Sequence, residues 1–333
     1  MTIHSSTGNV SCSMSTPSLR DTSVRARGLV KKFGEVTALD GLDLDVEAGT
    51  VLGLLGPNGA GKTTAVSILT TLLVPNSGTA SVAGLDVVRQ ARDVRRCIGL
   101  SGQYAAVDEH LTARENLDMI GRLYGLNRGD ARRRGNDLLE QFRLQDASDR
   151  PLKTFSGGMR RRLDLAGALI GEPLVLFLDE PTTGLDPRSR TELWDTIRER
   201  VSQGTTVLLT TQYLEEADQL ADEIVVIDHG KSIARGTAEQ LKLQVGGEHV
   251  DVHLRSAQDM VAARSILTKI AAGPIRSQSD SNEISAPVVN GVDALREVLR
   301  AFENSRIEIV DIGLRRPTLD DVFMTLTGHE ATT

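Results

Sequence analysis

No apolar stretch in this chain approaches the roughly 18 residues of a membrane-spanning helix. The longest are short pieces such as Leu174-Val175-Leu176-Phe177-Leu178. A helical integral membrane protein is thereby excluded, although attachment to a membrane surface is not. Cysteine is equally scarce. Cys12 and Cys97 are the only two in 333 residues, which excludes a disulfide framework and fits a reducing compartment. Positive charge is not in excess either. The 38 basic and 45 acidic residues leave a net charge of −7, whereas a dedicated nucleic-acid binder carries a basic face, so no nucleic-acid partner is expected. Only seven of the basic residues are lysine, which reads as coding bias and not as a binding surface. The six histidines are scattered. His249 and His253 share one face of an expected strand, but at ~3.3 Å per residue they stand ~13 Å apart, too far to share a metal. There is no repeat of fixed period. No basic start followed by an apolar block marks a secretory signal.

What is present is an ordinary globular composition, 40% hydrophobic and 25% charged, in a length that suggests about two domains. Residues 1–22 are rich in serine and threonine without apolar periodicity, and read as a disordered tail. From Val24 the pattern changes. Leu42, Leu44 and Val46 alternate with Asp43, Asp45 and Glu47, a half-buried strand. Val51 to Leu55 is a short apolar strand, and Ala65, Ile68, Leu69, Leu72 and Leu73 then recur at helical spacing. An Arg/Glu/Leu-rich helical region spans about 111–150. Strands are expected at Leu174 to Leu178, Thr206 to Thr210 and Glu223 to Ile227, with a helix at Leu214 to Leu220. Strands alternating with helices predict an α/β domain with a mostly parallel sheet over 23–245. Gly246-Gly247 marks a boundary. Beyond it, 248–333 read as a smaller α+β domain of order βαββαβ, a ferredoxin-like pattern. Its alternating set is Val250, Val252 and Leu254, then Val310, Ile312 and Leu314. Its helical faces are Met260, Ala263, Leu267 and Ile270, and Val292, Leu295, Leu299 and Phe302. A last helix, capped by Thr318 with Asp321 three residues on, buries Leu319, Val322, Phe323 and Leu326 and stops at Gly328.

The chemistry concentrates in three places. Gly56-Pro57-Asn58-Gly59-Ala60-Gly61-Lys62-Thr63-Thr64 fits the phosphate-loop pattern, with a strand before it and an amphipathic helix after it. The glycines let backbone N–H groups curl around a phosphate, and the helix N-terminus adds its positive end. Lys62 then supplies a point charge for the β- and γ-phosphates, and the Thr63 hydroxyl a ligand for Mg²⁺. The strand ending in Asp179-Glu180 delivers two carboxylates to the same sheet edge. Asp179 suits Mg²⁺, and Glu180 suits orienting or deprotonating the attacking water. Between them, Ser156 precedes Gly157-Gly158 and an apolar helical pattern, an N-cap beside exposed backbone donors and a second anion cradle. Either it is a capped helix and no more, or it serves a phosphate held by another copy. The triplet Arg160-Arg161-Arg162 that follows reads as a solvated helix face.

Phe155-Ser156-Gly157-Gly158-Met159 resembles the signature of ATP-binding cassette (ABC) proteins, with Phe155 and Met159 as departures at its ends. The resemblance runs over about 24–242. It implies a P-loop ATPase fold with an antiparallel β subdomain and a helical subdomain at about 104–165. It implies ATP and Mg²⁺ as cofactors, and two cassettes dimerising head to tail so that Ser156, Gly157 and Gly158 close on the partner's ATP. It further implies that Phe33 stacks on adenine, that Gln103 reaches Mg²⁺ and the water, and that Asp186, in Gly184-Leu185-Asp186, links the two sites. Gln212 stands where the family usually has a γ-phosphate-contacting histidine; it can donate a hydrogen bond but takes no proton. Gly102-Gln103-Tyr104-Ala105, Thr210-Thr211-Gln212-Tyr213-Leu214-Glu215-Glu216-Ala217 and the ending Thr318-Leu319-Asp320-Asp321-Val322-Phe323 are similar to the ATP-binding subunits of daunorubicin/doxorubicin-resistance exporters. That similarity implies a motor on the cytoplasmic face of the membrane, bound to a separately encoded integral permease. The alternatives are the same motor exporting a lipid, glycan or peptide, or a soluble ABC ATPase.

Overall fold

The computed structural model describes residues 22–102, 107–245, 248–278 and 282–327. The serine-rich tail before Thr22, Gln103, the pair Gly246-Gly247 and the Gly328 stop lie outside the described residues. The chain divides into two compact units at Ile233 and Ala234.

In the first unit, β1 (Thr22–Phe33) and β2 (Val36–Glu47) form an antiparallel hairpin. β3 (Val51–Leu55) leads into α1 (Lys62–Leu69). Then come β4 (Ser77–Val82), β5 (Leu85–Asp86), α2 (Ala91–Cys97) and β6 (Ile98–Ser101), followed by three helices, α3 (Ala113–Leu123), α4 (Arg128–Gln141) and α5 (Gly157–Leu169). The rest alternates as β7 (Val175–Asp179), α6 (Pro187–Ser202), β8 (Thr206–Thr211), α7 (Leu214–Leu220) and β9 (Glu223–Asp228), and the division between the units falls within β10 (Lys231–Gly236).

Two sheets result. The smaller is antiparallel, in the order β2-β1-β4-β5, and the larger runs β10-β9-β3-β8-β7-β6. In the larger sheet β9, β3, β8, β7 and β6 pair in parallel. Every residue of β3, β7 and β8 is buried, because both faces of the sheet are covered. Successive side chains point to opposite faces. Leu52, Leu54 and Phe177 therefore pack with Ile68 and Leu69 of α1 and with Leu29 and Leu44 of the smaller sheet. Leu176, Leu178 and Leu209 pack on the other side with Leu163 and Leu165 of α5 and Leu193 of α6. Parallel strands end on one edge: Leu55 pairs with Thr211, and Asp179 with Thr210. The chemistry-bearing loops leave from that edge, the usual ligand position of such sheets.

Some local expectations fail here. The helix after the phosphate loop stops at Leu69, because Thr71 takes a left-handed φ of 68°, and Leu72 is left 63% exposed instead of continuing the buried face. Sequence periodicity did not disclose α6, whose start is set by Asp186 as N-cap and Pro187 in the first turn.

The second unit holds α8 (Ala238–Val245), β11 (His249–Leu254), α9 (Met260–Ile270), β12 (Arg276–Gln278), β13 (Glu283–Pro287), α10 (Gly291–Ser305), β14 (Ile309–Arg315) and α11 (Leu319–Thr327). Its sheet is antiparallel with strand order β12-β13-β11-β14. Val250, Val252, Leu267, Ile284, Val298 and Phe302 form its core. A register shift between β11 and β14 near Leu254 and Ile309 turns Val310 outward, so Ile309 packs on the core in its place, beside the expected Ile312 and Leu314. On α10 the buried face runs through Ala294, Val298 and Phe302, and Val292 is exposed. The cap of α11 forms as expected: the Asp321 N–H donates to Thr318 Oγ1 at 3.3 Å, and the Thr318 N–H to Asp321 Oδ2 at 3.0 Å.

Candidate active site

The loop from Gly56 to Gly61 leaves β3 and closes into α1. A Cβ at Gly61 would stand 2.4 Å from the Ala38 carbonyl oxygen, and Gly61 has φ 106°, so only glycine fits without strain. Pro57, Asn58, Gly59 and Ala60 form the loop's crest, with Asn58 and Gly59 exposed. Lys62, 5% exposed, points back under it and donates to the carbonyls of Gly56 at 2.6 Å and Pro57 at 3.0 Å. Burial lowers its pKa, while the negative charges of Glu180 and Asp179 act the other way. Thr63 lies in the first turn of the helix, its hydroxyl 3.3 Å from Asp179 Oδ1, and Thr64 follows half-buried.

Asp179 and Glu180 are both buried at the end of β7. Thr210, fully buried on the neighbouring β8, holds them together. Its hydroxyl donates to Asp179 Oδ1, and it also accepts the Glu180 N–H at 3.2 Å, an N–H that the Thr210 carbonyl takes at 3.0 Å. Glu180 has a left-handed φ of 50°, a conformation that costs a non-glycine residue about 1–3 kcal/mol and turns its side chain off the strand. Thr183 Oγ1 lies 3.4 Å from Glu180 Oε2.

Ser156 caps α5, accepting the Met159 N–H at 3.3 Å, and with Gly157 it is exposed, Gly158 half-buried behind. Arg161 departs from the expectation of a solvated triplet. Its guanidinium is buried behind the carboxylates, at the carbonyls that end β7. Arg160 does reach outward, to Glu109 at 2.8 Å. Asp186 caps α6: its Oδ1 accepts the Ser189 N–H at 3.0 Å and its Oδ2 the Ser189 hydroxyl at 2.7 Å, and these hydrogen bonds hold its carboxyl below the usual range. Gln212, half-buried, follows β8 on the edge shared with β3 and β7. Phe33 ends β1 at the hairpin tip, 48% exposed, its ring 5.2 Å from the Lys31 ammonium.

Lys62, Thr63, Asp179, Glu180 and Gln212 thus come to one edge. Ser156, Phe33 and Asp186 sit on other elements, exposed. The arrangement offers a backbone cradle with one ammonium for an anion, two hard oxygens side by side, and an adjacent carboxylate able to take a proton. A model of the ABC transporter family matches residues 39–183. A daunorubicin resistance ATP-binding protein of Streptomyces coeruleorubidus is 56% identical over 306 residues, 92% of this chain and 95% of that one. The chain belongs to the ABC transporter family of ATP-binding proteins. A daunorubicin/doxorubicin resistance ATP-binding protein of Streptomyces peucetius is 50% identical over 308 residues, 92% of this chain and 93% of its own. Among solved structures, an ATP-binding subunit of an ABC transporter matches with TM-score 0.62 at 29% identity, over 67% of this chain and 93% of that one.

This ABC ATPase also has site residues that sequence reasoning missed. Thr210 and Glu216 enter the sequence reading only within an expected strand, an expected helix and a stretch of resemblance, with no role assigned to either. Glu216 is fully buried at the start of α7, with Trp194 Nε1 3.4 Å from its Oε1. Burial pushes its pKa up, against the opposing pull of the nearby Thr211 and Thr182 hydroxyls, the Trp194 N–H and the Arg161 charge. Its neighbours Glu215, Asp218 and Gln219 are polar as well, so nothing along the chain set it apart. Among the described residues no helix is long and apolar enough to cross a membrane, and no cluster of three metal-ligating side chains occurs.

Proposed function

We propose that the chain is the ATP-hydrolysing subunit of a drug exporter, working as a head-to-tail pair of cassettes on the cytoplasmic face of a membrane and bound to a separate integral permease. The observation that carries the catalytic part is the single edge holding Lys62, Thr63, Asp179 and Glu180. The loop N–H groups and Lys62 bind the phosphates of ATP. The Thr63 hydroxyl and the Asp179 carboxylate, 3.3 Å apart, are hard oxygen donors of the kind Mg²⁺ takes alongside phosphate and water, with Gln103 as a further ligand. When bound by these donors, Mg²⁺ would supply positive charge to offset that of the β- and γ-phosphates. Glu180 accepts a proton from the water as its oxygen bonds to the γ-phosphorus, and the bond to the ADP oxygen breaks. Gln212 orients the water or the γ-phosphate through a neutral hydrogen bond. Phe33 stacks on the adenine. Exposed Ser156 with Gly157 and Gly158 supplies donors to the ATP of the partner cassette, and Asp186, at the start of α6, links the two sites.

The export of anthracycline drugs is supported by identities of 50% and above, over nearly whole chains, to proteins named for daunorubicin resistance. The strand order β12-β13-β11-β14 supports a ferredoxin-like second domain, which we assign to assembly and not to chemistry. The test mixes two inactive variants. Ser156→Arg and Lys62→Ala should each lack ATPase activity, and together restore part of it through one intact composite site. No recovery when mixed dimers demonstrably form contradicts the composite site. For the drug, co-expression with the permease should lower daunorubicin accumulation in a sensitive host, and substituting Lys62→Ala should abolish that.

A further inference from the structure

The helix that begins at Ser156 carries a buried arginine among backbone acceptors. Arg161 is 9% exposed, with exposed Ser156 and outward-reaching Arg160 on the same helix. Its Nε donates to the Pro181 carbonyl at 2.7 Å, one terminal nitrogen to the carbonyls of Asp179 at 3.1 Å and Glu180 at 3.0 Å, and the other to the carbonyl of Gly102. Four main-chain oxygens from two separate strand ends therefore converge on one planar fork. Buried carbonyls need such donors, and the Glu180 carbonyl, which also takes the Thr183 N–H at 3.4 Å, has its shorter bond from the arginine. No other side chain carries five N–H donors in fixed geometry; lysine has three on a point charge. The guanidinium is itself anchored. Asp164, one turn along the helix, lies 3.6 Å from it and accepts the Ser101 hydroxyl at 2.6 Å. Ser101 closes β6 next to Gly102, so the ring of contacts closes on itself.

We propose that Arg161 is a positioning residue for hydrolysis: it holds the backbone of Asp179, Glu180 and Pro181 in place and ties it to the helix capped by Ser156. Glu180 sits in a left-handed backbone conformation, which persists only where the surroundings over-determine it. Thr210 restrains its N–H, and its C=O accepts from Arg161 at 3.0 Å and more weakly from the Thr183 N–H at 3.4 Å. Releasing the carbonyl lets the Glu180 peptide relax and swings its carboxylate away from the water. The cassette that presents its Ser156 to a partner's ATP then has its own Glu180 set by the same helix. Burial lowers the Arg161 pKa, opposed by Asp164 and by Glu216, Asp179 and Glu180. The inference rests on reading Glu180 as the base, and the experiment separates the two.

The experiment measures ATP turnover of the full chain, normalised to ATP-binding sites counted with a fluorescent ATP analogue, for wild type, Arg161→Met, Arg161→Lys, Glu180→Gln and the double variant Arg161→Met with Glu180→Gln. A misplacement of about 1 Å can cost ~100-fold, so Arg161→Met should lower kcat about ten- to a hundredfold with the ATP KM within about twofold, and Arg161→Lys should recover part of that loss. In the Glu180→Gln background the arginine substitution should add nothing, because it acts through the residue already removed. A kcat for Arg161→Met within about twofold of wild type, or a loss that multiplies in the double variant, overturns the proposal. A wild-type rate for Glu180→Gln alone overturns the reading of the base, whatever the arginine variant does. Should Arg161→Met fail to fold, Asp164→Asn and Ser101→Ala loosen the anchor and keep the arginine. A fall of about three- to tenfold in kcat at unchanged KM supports the proposal, and unchanged kcat in both overturns it.

Discussion

Removing one hydroxyl from Thr210 tests how the carboxylates are held. Thr210→Val is close to isosteric, and the residue is fully buried, so the fold has no need to rearrange. The change takes a donor from Asp179 and one of two acceptors from the Glu180 N–H; the Thr210 carbonyl, 3.0 Å away, keeps that N–H satisfied. The loss is therefore essentially one hydrogen bond to a charged group, about 1.5–3 kcal/mol. For a unit of this size about 1 kcal/mol lowers the melting temperature by ~2–4 °C, so a fall of roughly 3–12 °C follows. The larger consequence is functional. Groups that orient a metal ligand are worth about 10–100-fold in metal affinity or activity. The Mg²⁺ concentration for half-maximal ATPase activity should rise by roughly tenfold, while nucleotide binding measured without Mg²⁺ stays put. The assay is steady-state hydrolysis over a Mg²⁺ titration, beside a thermal melt. An unchanged Mg²⁺ dependence with the expected loss of stability would show that Thr210 serves packing alone, and would refute the reasoning.

Gln212→Ala should lower turnover three- to a hundredfold, one hydrogen bond being worth ~0.5–3 kcal/mol; Gln212→His should stay active and acquire a pH dependence near ~6.5, both read by ATPase activity from pH 5.5 to 8.5. Burial raises the Glu216 pKa, so the folded state keeps a proton that the unfolded chain has lost above about 4.3, and stability declines as pH rises through the raised value. Glu216→Gln should flatten that decline in denaturant titrations followed by the emission of Trp194, the chain's single tryptophan. Asp321 shows the opposite sign. Burial pushes its carboxyl up, but hydrogen bonds from Arg315 and Thr318 outweigh this and hold it well below the usual range, so its contribution is present above about pH 4 and fades as acid approaches the folded value. Asp321→Asn should cost about 1–3 kcal/mol near neutral pH, measured by chemical denaturation, and less in acid.

Where information is local, the candidate site was legible in the sequence. The glycine spacing from Gly56 to Gly61, the strand before it and the helix after it sit within twenty residues, and the pair Asp179-Glu180 closes an unbroken apolar run. Period-two alternation likewise exposed β2 and β11. The partners of those groups were illegible because they arrive from distant chain. Thr210 lies 31 residues beyond Asp179 and meets it only through the parallel pairing of β7 and β8. Arg161 looked like one of three solvated arginines, since nothing along the chain shows that its neighbours are carbonyls of Gly102 and Pro181. The register shift beside Ile309 that turns Val310 outward is a property of two strands together. Asp186, matched to a family position by resemblance, proved also to cap α6, a local role that Pro187 could have signalled.

The most direct test of the account is the hydrolysis rate of Glu180→Gln beside wild type, at saturating ATP and Mg²⁺, with the oligomeric state followed by size-exclusion chromatography. Loss of the base should slow turnover by about a hundredfold or more, leave ATP binding intact and accumulate an ATP-bound dimer. Wild-type turnover by the purified variant would contradict the account.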